Sequence, residues 1–90
     1  MRFIMYGTHL CPDCVNAKQA LAANGIPCAY VEFTESTANI KAFLRYRDDP
    51  AYADVFDAVR ANHGIGVPCF VFEDGTLTLD VQRAIALARQ

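Results

Sequence analysis

The sequence predicts an α/β chain whose elements run β-α-β-α-α-β-β-α. Three observations carry that expectation. A short apolar run, Phe3-Ile4-Met5-Tyr6, leads within a few residues into a stretch of helical periodicity starting at Pro12. A second strand-like run, Cys28 to Phe33, follows a glycine stop at Gly25. Near the end, Glu73-Asp74-Gly75 is a hairpin signal between two further strand-like runs.

The first strand is expected over Arg2 to Tyr6, apolar almost throughout, as buried central strands are. The first helix is expected over Pro12 to Asn24. Pro12 suits the first helical position, where its missing N–H costs nothing. Cys14, Ala17, Leu21 and the stem of Lys18 share one face. In the second strand Val31 and Phe33 point one way, Tyr30 and Glu32 the other. Thr34 to Thr37 offers several N-caps for a helix reaching about Arg47, with Ile40, Phe43 and Leu44 at helical spacing. Asp48-Asp49-Pro50 breaks it, and Asp49 and Pro50 suit the start of another stretch. There Tyr52, Val55, Phe56 and Val59 form the apolar stripe, down to Asn62-His63-Gly64. The residues leave open whether these are two helices or one kinked helix. Cys69 to Phe72 reads as the third strand and Thr76 to Leu79 as the returning one. Asp80 caps a last helix that buries Val81, Ala84, Ile85 and Ala88.

Ninety residues suffice for a single domain spanning 1–90, with one modest core. At 53% apolar and 20% charged residues the chain is expected to fold rather than stay disordered. A net charge of -2 without a basic cluster argues against a nucleic-acid partner. No run is long and apolar enough to cross a membrane, so no membrane association is expected. Met1 to Tyr6 lacks the long apolar core and cleavage site of a signal peptide, so the expected location is cytoplasmic. In that compartment four cysteines point to redox or metal chemistry rather than a disulfide framework.

The chemistry concentrates in Cys11-Pro12-Asp13-Cys14. Two cysteines two residues apart, where a strand gives way to a helix, form the pattern of a thiol–disulfide centre. Cys11 would take the N-cap, where the helix's partial positive charge favours thiolate over thiol. Cys14, in the first turn, would resolve the mixed disulfide that Cys11 forms. The plainer alternatives are half of a metal site or two buried thiols. A zinc site wants four ligands, and no second paired-cysteine or paired-histidine motif is present. His9 precedes Cys11 by two residues; protonated, it would assist the thiolate, but an exposed loop histidine is the simpler reading. His63 suits a helix end through its charge. Cys28 reads as core, and so does Cys69, although its place after Pro68 leaves a third redox thiol or a metal ligand open. Lys41, Arg45 and Arg47 read as a solvated helix face.

The element order, Cys11-Pro12-Asp13-Cys14 after the first strand, Gly66-Val67-Pro68 before the third, and the Glu73-Asp74-Gly75 turn resemble the glutaredoxins, and more narrowly small glutaredoxin-like proteins of bacteria. The resemblance covers nearly the whole chain. It implies a thioredoxin-like fold, a four-stranded mixed β-sheet flanked by helices. It implies a thiol–disulfide oxidoreductase with a redox-active Cys11–Cys14 pair, acting on protein disulfides or glutathione mixed disulfides. Pro68 would be cis beside the active sulfurs, with Val67 offering its backbone to substrate. No cofactor is expected to be bound tightly. Reducing power would come from glutathione or a thioredoxin-reductase-type flavoprotein, and the chain is expected to act as a monomer.

Several positions depart from the glutaredoxin pattern. Thr8 stands where a lysine usually meets a glutathione carboxylate. Thr78-Leu79 stands where a Gly-Gly pair is usual, with Asp80 following, which either keeps part of the γ-glutamyl grip or only caps the last helix. Asp13 replaces the Tyr or Gly frequent between the cysteines, which disfavours acidic substrates. The alternative function implied by the family is a metal or [2Fe–2S] carrier using Cys11 and glutathione. A closing Cys14 and an incomplete glutathione grip argue against it.

Overall fold

A computed structural model describes residues 1–90. Strand β1 (Phe3–Gly7) is central and pairs on both sides. Its parallel neighbour is β2 (Ala29–Glu32) and its antiparallel neighbour is β3 (Cys69–Phe72), which in turn carries β4 (Leu77–Thr78). The four-stranded order is β2-β1-β3-β4. A parallel pair needs a crossover, and helix α1 (Pro12–Ala23) supplies it. Helices α2 (Thr37–Arg47) and α3 (Ala53–Ala61) connect β2 to β3, and α4 (Val81–Ala88) follows β4. This is the mixed sheet with helices on both faces that the sequence implies, the thioredoxin-like architecture.

Strand alternation divides the core into two layers. Phe3, Met5, Phe70 and Phe72 turn to one face and meet Cys14, Ala17 and Leu21 of α1 and Ala84 and Ile85 of α4. Tyr6, Cys69, Val71 and Leu77 turn to the other, against Phe43 of α2 and Phe56 of α3. The rings of Phe43 and Phe56 meet edge to face at 6.0 Å.

Boundaries shift by one or two residues from the sequence reading. The return strand is shorter, because Thr78 Oγ1 accepts the Asp80 N–H (3.1 Å) and turns the chain away. The question left open at Asp48-Asp49-Pro50 resolves into two helices. Asp49 accepts the Ala51 N–H (2.9 Å) and caps a single 3₁₀ turn, Pro50–Tyr52, before α3 begins. Gly25 closes α1 in the left-handed conformation (φ 66°). At the end of α3 it is His63 that takes this conformation (φ 58°). The Gly64 N–H reaches back to the Val59 carbonyl (2.8 Å) and the His63 N–H to the Arg60 carbonyl (3.0 Å). His63 therefore shapes the helix end through its backbone.

Arg47 corrects the reading of a solvated helix face. Its side chain is half-buried, and its Nη2 donates to the Gly64 carbonyl at 2.8 Å, tying α2 to the segment that leads into Pro68. Gly66, in that segment, has φ 98°, and a Cβ there would lie 2.8 Å from the Phe56 ring. Both facts exclude a side chain. Gly66→Ala is expected to cost about 1–3 kcal/mol from the backbone alone. Urea unfolding checks it, as a lower midpoint at unchanged slope.

Candidate functional site

The site forms at the end of the sheet where β1 stops. The register that sets Tyr6 opposite Cys69 brings the β1–α1 loop beside the chain entering β3. Thr8 builds the loop. Its carbonyl accepts the Cys11 N–H (3.1 Å) and its hydroxyl the Leu10 N–H (3.2 Å), so residues 8–11 close a tight turn. Cys11 then occupies the N-cap of α1 in extended conformation, with Pro12 at the first helical position. Its side chain makes no capping hydrogen bond, and the residue is half-buried. Cys14 is fully buried in the α1–α4 layer. All four cysteines are free thiols.

Burial pushes the Cys14 thiol up to about 12, opposed by a hydrogen bond with the Thr8 backbone and reinforced by one with Cys11. The two sulfurs thus differ in kind. One reaches solvent at a helix N-terminus, and the other is held inside as a neutral thiol. The Cys14 sulfur fits only because residue 7 is glycine. A Cβ on Gly7 would lie 2.8 Å from Cys14 Sγ and 3.6 Å from Tyr30 Oη.

The Val67–Pro68 peptide is cis, as the resemblance noted in the sequence implies. Pro68 is buried and Val67 half-buried. Both line a groove of about 510 Å³ with Asp13, Asn16, Asp80 and Gln82. The structure therefore gathers Asp13, Val67, Pro68 and Asp80 in one place, at the N-termini of α1 and α4. Asp80 also caps α4, accepting the Gln82 N–H at 2.9 Å. Thr8 does not line this groove; its role here is the turn.

One site residue escaped the sequence reading. Glu32, at the end of β2 opposite Gly7, is buried (9% exposed), although its alternation with Tyr30 was legible. One carboxylate oxygen accepts the His9 N–H (2.7 Å) and the Tyr30 hydroxyl (3.1 Å), and lies 3.2 Å from His9 Nδ1. The other accepts the Thr34 N–H (3.0 Å) and hydroxyl (2.9 Å). Burial alone would raise its pKa. The hydrogen bonds from the Thr34 and His9 backbones outweigh burial and hold the carboxyl well below its usual range. The His9 ring is exposed, as the simpler reading had it, but its backbone is pinned. Glu32 thereby locks the loop before Cys11 onto the sheet. A lone acidic residue ending an apolar strand beside a Gly-initiated loop was the available signal.

Other cysteines lie elsewhere. Cys69 is fully buried in the second layer, and burial pushes its thiol up to about 12. Cys28 is half-buried rather than core, and lines a larger cavity of about 650 Å³ with Phe3, Ile4 and Phe72. That cavity lies at the opposite end of the sheet, where β1 and β2 begin, so its size does not make it the reactive site. No three His, Cys, Asp or Glu side chains gather in metal-ligand fashion. Cys11 and Cys14 are too few to hold a metal ion or cluster from this chain alone.

Because the folded-state pKa of Glu32 is lowered, its stabilisation is present above the ordinary carboxylate pKa of about 4.3 and is lost progressively as pH falls below it. Glu32→Gln should flatten that acid limb of a stability-against-pH curve measured by urea unfolding, and lower stability at pH 7.

A glutaredoxin family model matches residues 3–72, which span the whole sheet except β4. A Haemophilus influenzae protein described as uncharacterized is 31% identical over 80 residues, covering 89% of this chain and 90% of its own length. No solved structure matches the chain.

Proposed function

Because the chain belongs to the glutaredoxin family, whose function is redox chemistry, we propose that it is a thiol–disulfide oxidoreductase working through Cys11 and Cys14. The observation that carries this reading is the asymmetry of the pair. Cys11 caps α1 with a sulfur free of capping bonds, whereas Cys14 is buried and neutral. The thiolate of Cys11 attacks one sulfur of a substrate disulfide. A Cys11–substrate disulfide forms, and the other substrate sulfur leaves as a thiolate that takes up a proton. Cys14 then attacks Cys11 Sγ and releases its own proton. The second substrate sulfur departs, and the Cys11–Cys14 disulfide closes. The substrate has gained two electrons and the protein has lost two. Two thiols, from glutathione, or a flavoprotein reductase restore the dithiol.

Burial of Cys14 suits the second step. A thiol kept neutral does not compete for the substrate, and becomes the attacking group only when Cys11 is already linked beside it. Val67 and the cis Pro68 supply the ledge against which the substrate segment lies, with Asp13 and Asp80 facing it across the groove. Protein disulfides and glutathione mixed disulfides are the substrate classes this arrangement accommodates. The site has no need of a tightly held cofactor, and the cytoplasm is the compartment in which such a dithiol stays reduced.

The deciding experiment is glutathione-driven reduction of a small mixed disulfide. Wild type should turn over, Cys11→Ser should fall to the uncatalysed background, and Cys14→Ser should keep turnover on glutathione mixed disulfides while losing activity on protein disulfides. Full activity in Cys11→Ser overturns the assignment. If wild type is inactive with glutathione but its dithiol cycles with dithiothreitol, its electrons come from a reductase instead. Alkylation checks the same asymmetry. Iodoacetamide at pH 8 followed by peptide mass mapping should label Cys11 first, and Cys14 and Cys69 only after unfolding.

A further inference from the structure

The two most exposed large apolar side chains of the chain lie on the two loops at the Cys11 end of the sheet. They are Leu10 (71%) and Ile65 (58%); the next, Ile4 and Val15, reach 37%. Leu10 immediately precedes Cys11. Ile65 lies three residues before Pro68. The β1–β3 pairing brings both loops to one end of the sheet, because Tyr6 stands opposite Cys69. A single exposed leucine needs no explanation, but an apolar pair flanking a reactive thiol marks a contact surface.

The groove at the heads of α1 and α4 has a different character. The groove holding Val67 and Pro68 carries the carboxylates of Asp13 and Asp80, and no lysine, arginine or histidine lines it. Asn16 and Gln82 add neutral polar groups only. A ligand rich in carboxylates meets repulsion there, whereas a cationic side chain is attracted from within about a Debye length of 8–10 Å.

We propose, building on the thiol-exchange reading above, that the preferred substrate is a cysteine in an extended protein segment with an apolar side chain and a basic side chain close to it. The apolar group covers Leu10 and Ile65, and the basic group enters the Asp13–Asp80 groove. Asp13 and Asp80 are then specificity-determining residues. Attachment to Cys11 follows the exchange already written, with the leaving sulfur departing as a thiolate.

Four end-blocked peptides test this, each with one cysteine carried as a mixed disulfide with 5-thio-2-nitrobenzoate. Their neighbours are leucine with lysine, leucine with glutamate, glycine with lysine, and glycine with glutamate. Stopped-flow release of thionitrobenzoate by the reduced full chain gives a second-order rate constant. Division by the dithiothreitol rate for the same peptide removes intrinsic reactivity. The leucine–lysine peptide should react about tenfold faster than leucine–glutamate at low salt, and less than about threefold faster at 1 M salt. Asp13→Asn with Asp80→Asn, which keeps a capping oxygen on α4, should remove the charge preference and leave the apolar one. Leu10→Ser with Ile65→Ser should do the reverse. Equal normalised rates for all four peptides, or a preference for glutamate, overturn the inference while leaving thiol exchange standing. Absence of release from every peptide overturns the thiol-exchange reading itself.

Discussion

Strand β1 is paired on both edges, and its two registers place every group at the reactive end. The antiparallel register with β3 sets Tyr6 opposite Cys69, so the turn before Cys11 and the cis peptide before Cys69 leave the sheet side by side. The parallel register with β2 sets Gly7 opposite Glu32, so a buried carboxylate arrives beneath that turn. A slip of one residue on either side would send each side chain to the opposite face. Met5, fully buried on one face, and Tyr6, buried on the other, make such a slip costly. Two apolar layers thus hold in place a polar site that has few contacts of its own.

Within that frame, small groups decide the chemistry. Gly7 has no Cβ, and the Cys14 sulfur fills the space one would take. Thr8 and Glu32 divide the loop between them: one closes the turn, and the other ties His9 to β2. Because Glu32 is held as an anion by donated hydrogen bonds, it is an anchor rather than a proton reservoir at neutral pH. Arg47 performs a parallel task on the other loop, through the Gly64 carbonyl. Both loops at this end of the sheet are fastened from behind by a charged side chain, while Leu10 and Ile65 on them stay exposed.

This division of labour bears on what the glutaredoxin family membership means for this chain. The family match spans Cys11, Cys14, the cis Val67–Pro68 peptide and strands β1 to β3. Beside them lies a groove with Asp13 in the first turn of α1 and Asp80 at the head of α4. Thr8 completes a turn where a cation would have met a carboxylate.

Much of the architecture was legible because it rests on local rules. Pro12 after Cys11, Gly25 after a helical stretch, Asp80 before another, and Glu73-Asp74-Gly75 between strands each state a backbone conformation through a single side chain. The spacing of Cys14, Ala17 and Leu21 revealed a buried face in the same way. The Cys11–Cys14 pair could be picked out as a candidate by type and spacing, and Pro68 through the resemblance to glutaredoxins. The sequence could not say that Glu32 is buried, that Arg47 bends back to Gly64, that Cys28 borders a surface cavity, or that Asp13 and Asp80 share a groove. Those facts depend on which strands lie adjacent and in what register, and long-range pairing leaves no periodic trace in the chain. By itself, then, the sequence determined the elements and their order and picked out Cys11 and Cys14 as a candidate pair, because those follow from neighbours within a turn or two. Only the tertiary structure decided which distant residues surround that pair, because β1 brings together segments more than sixty residues apart in the chain.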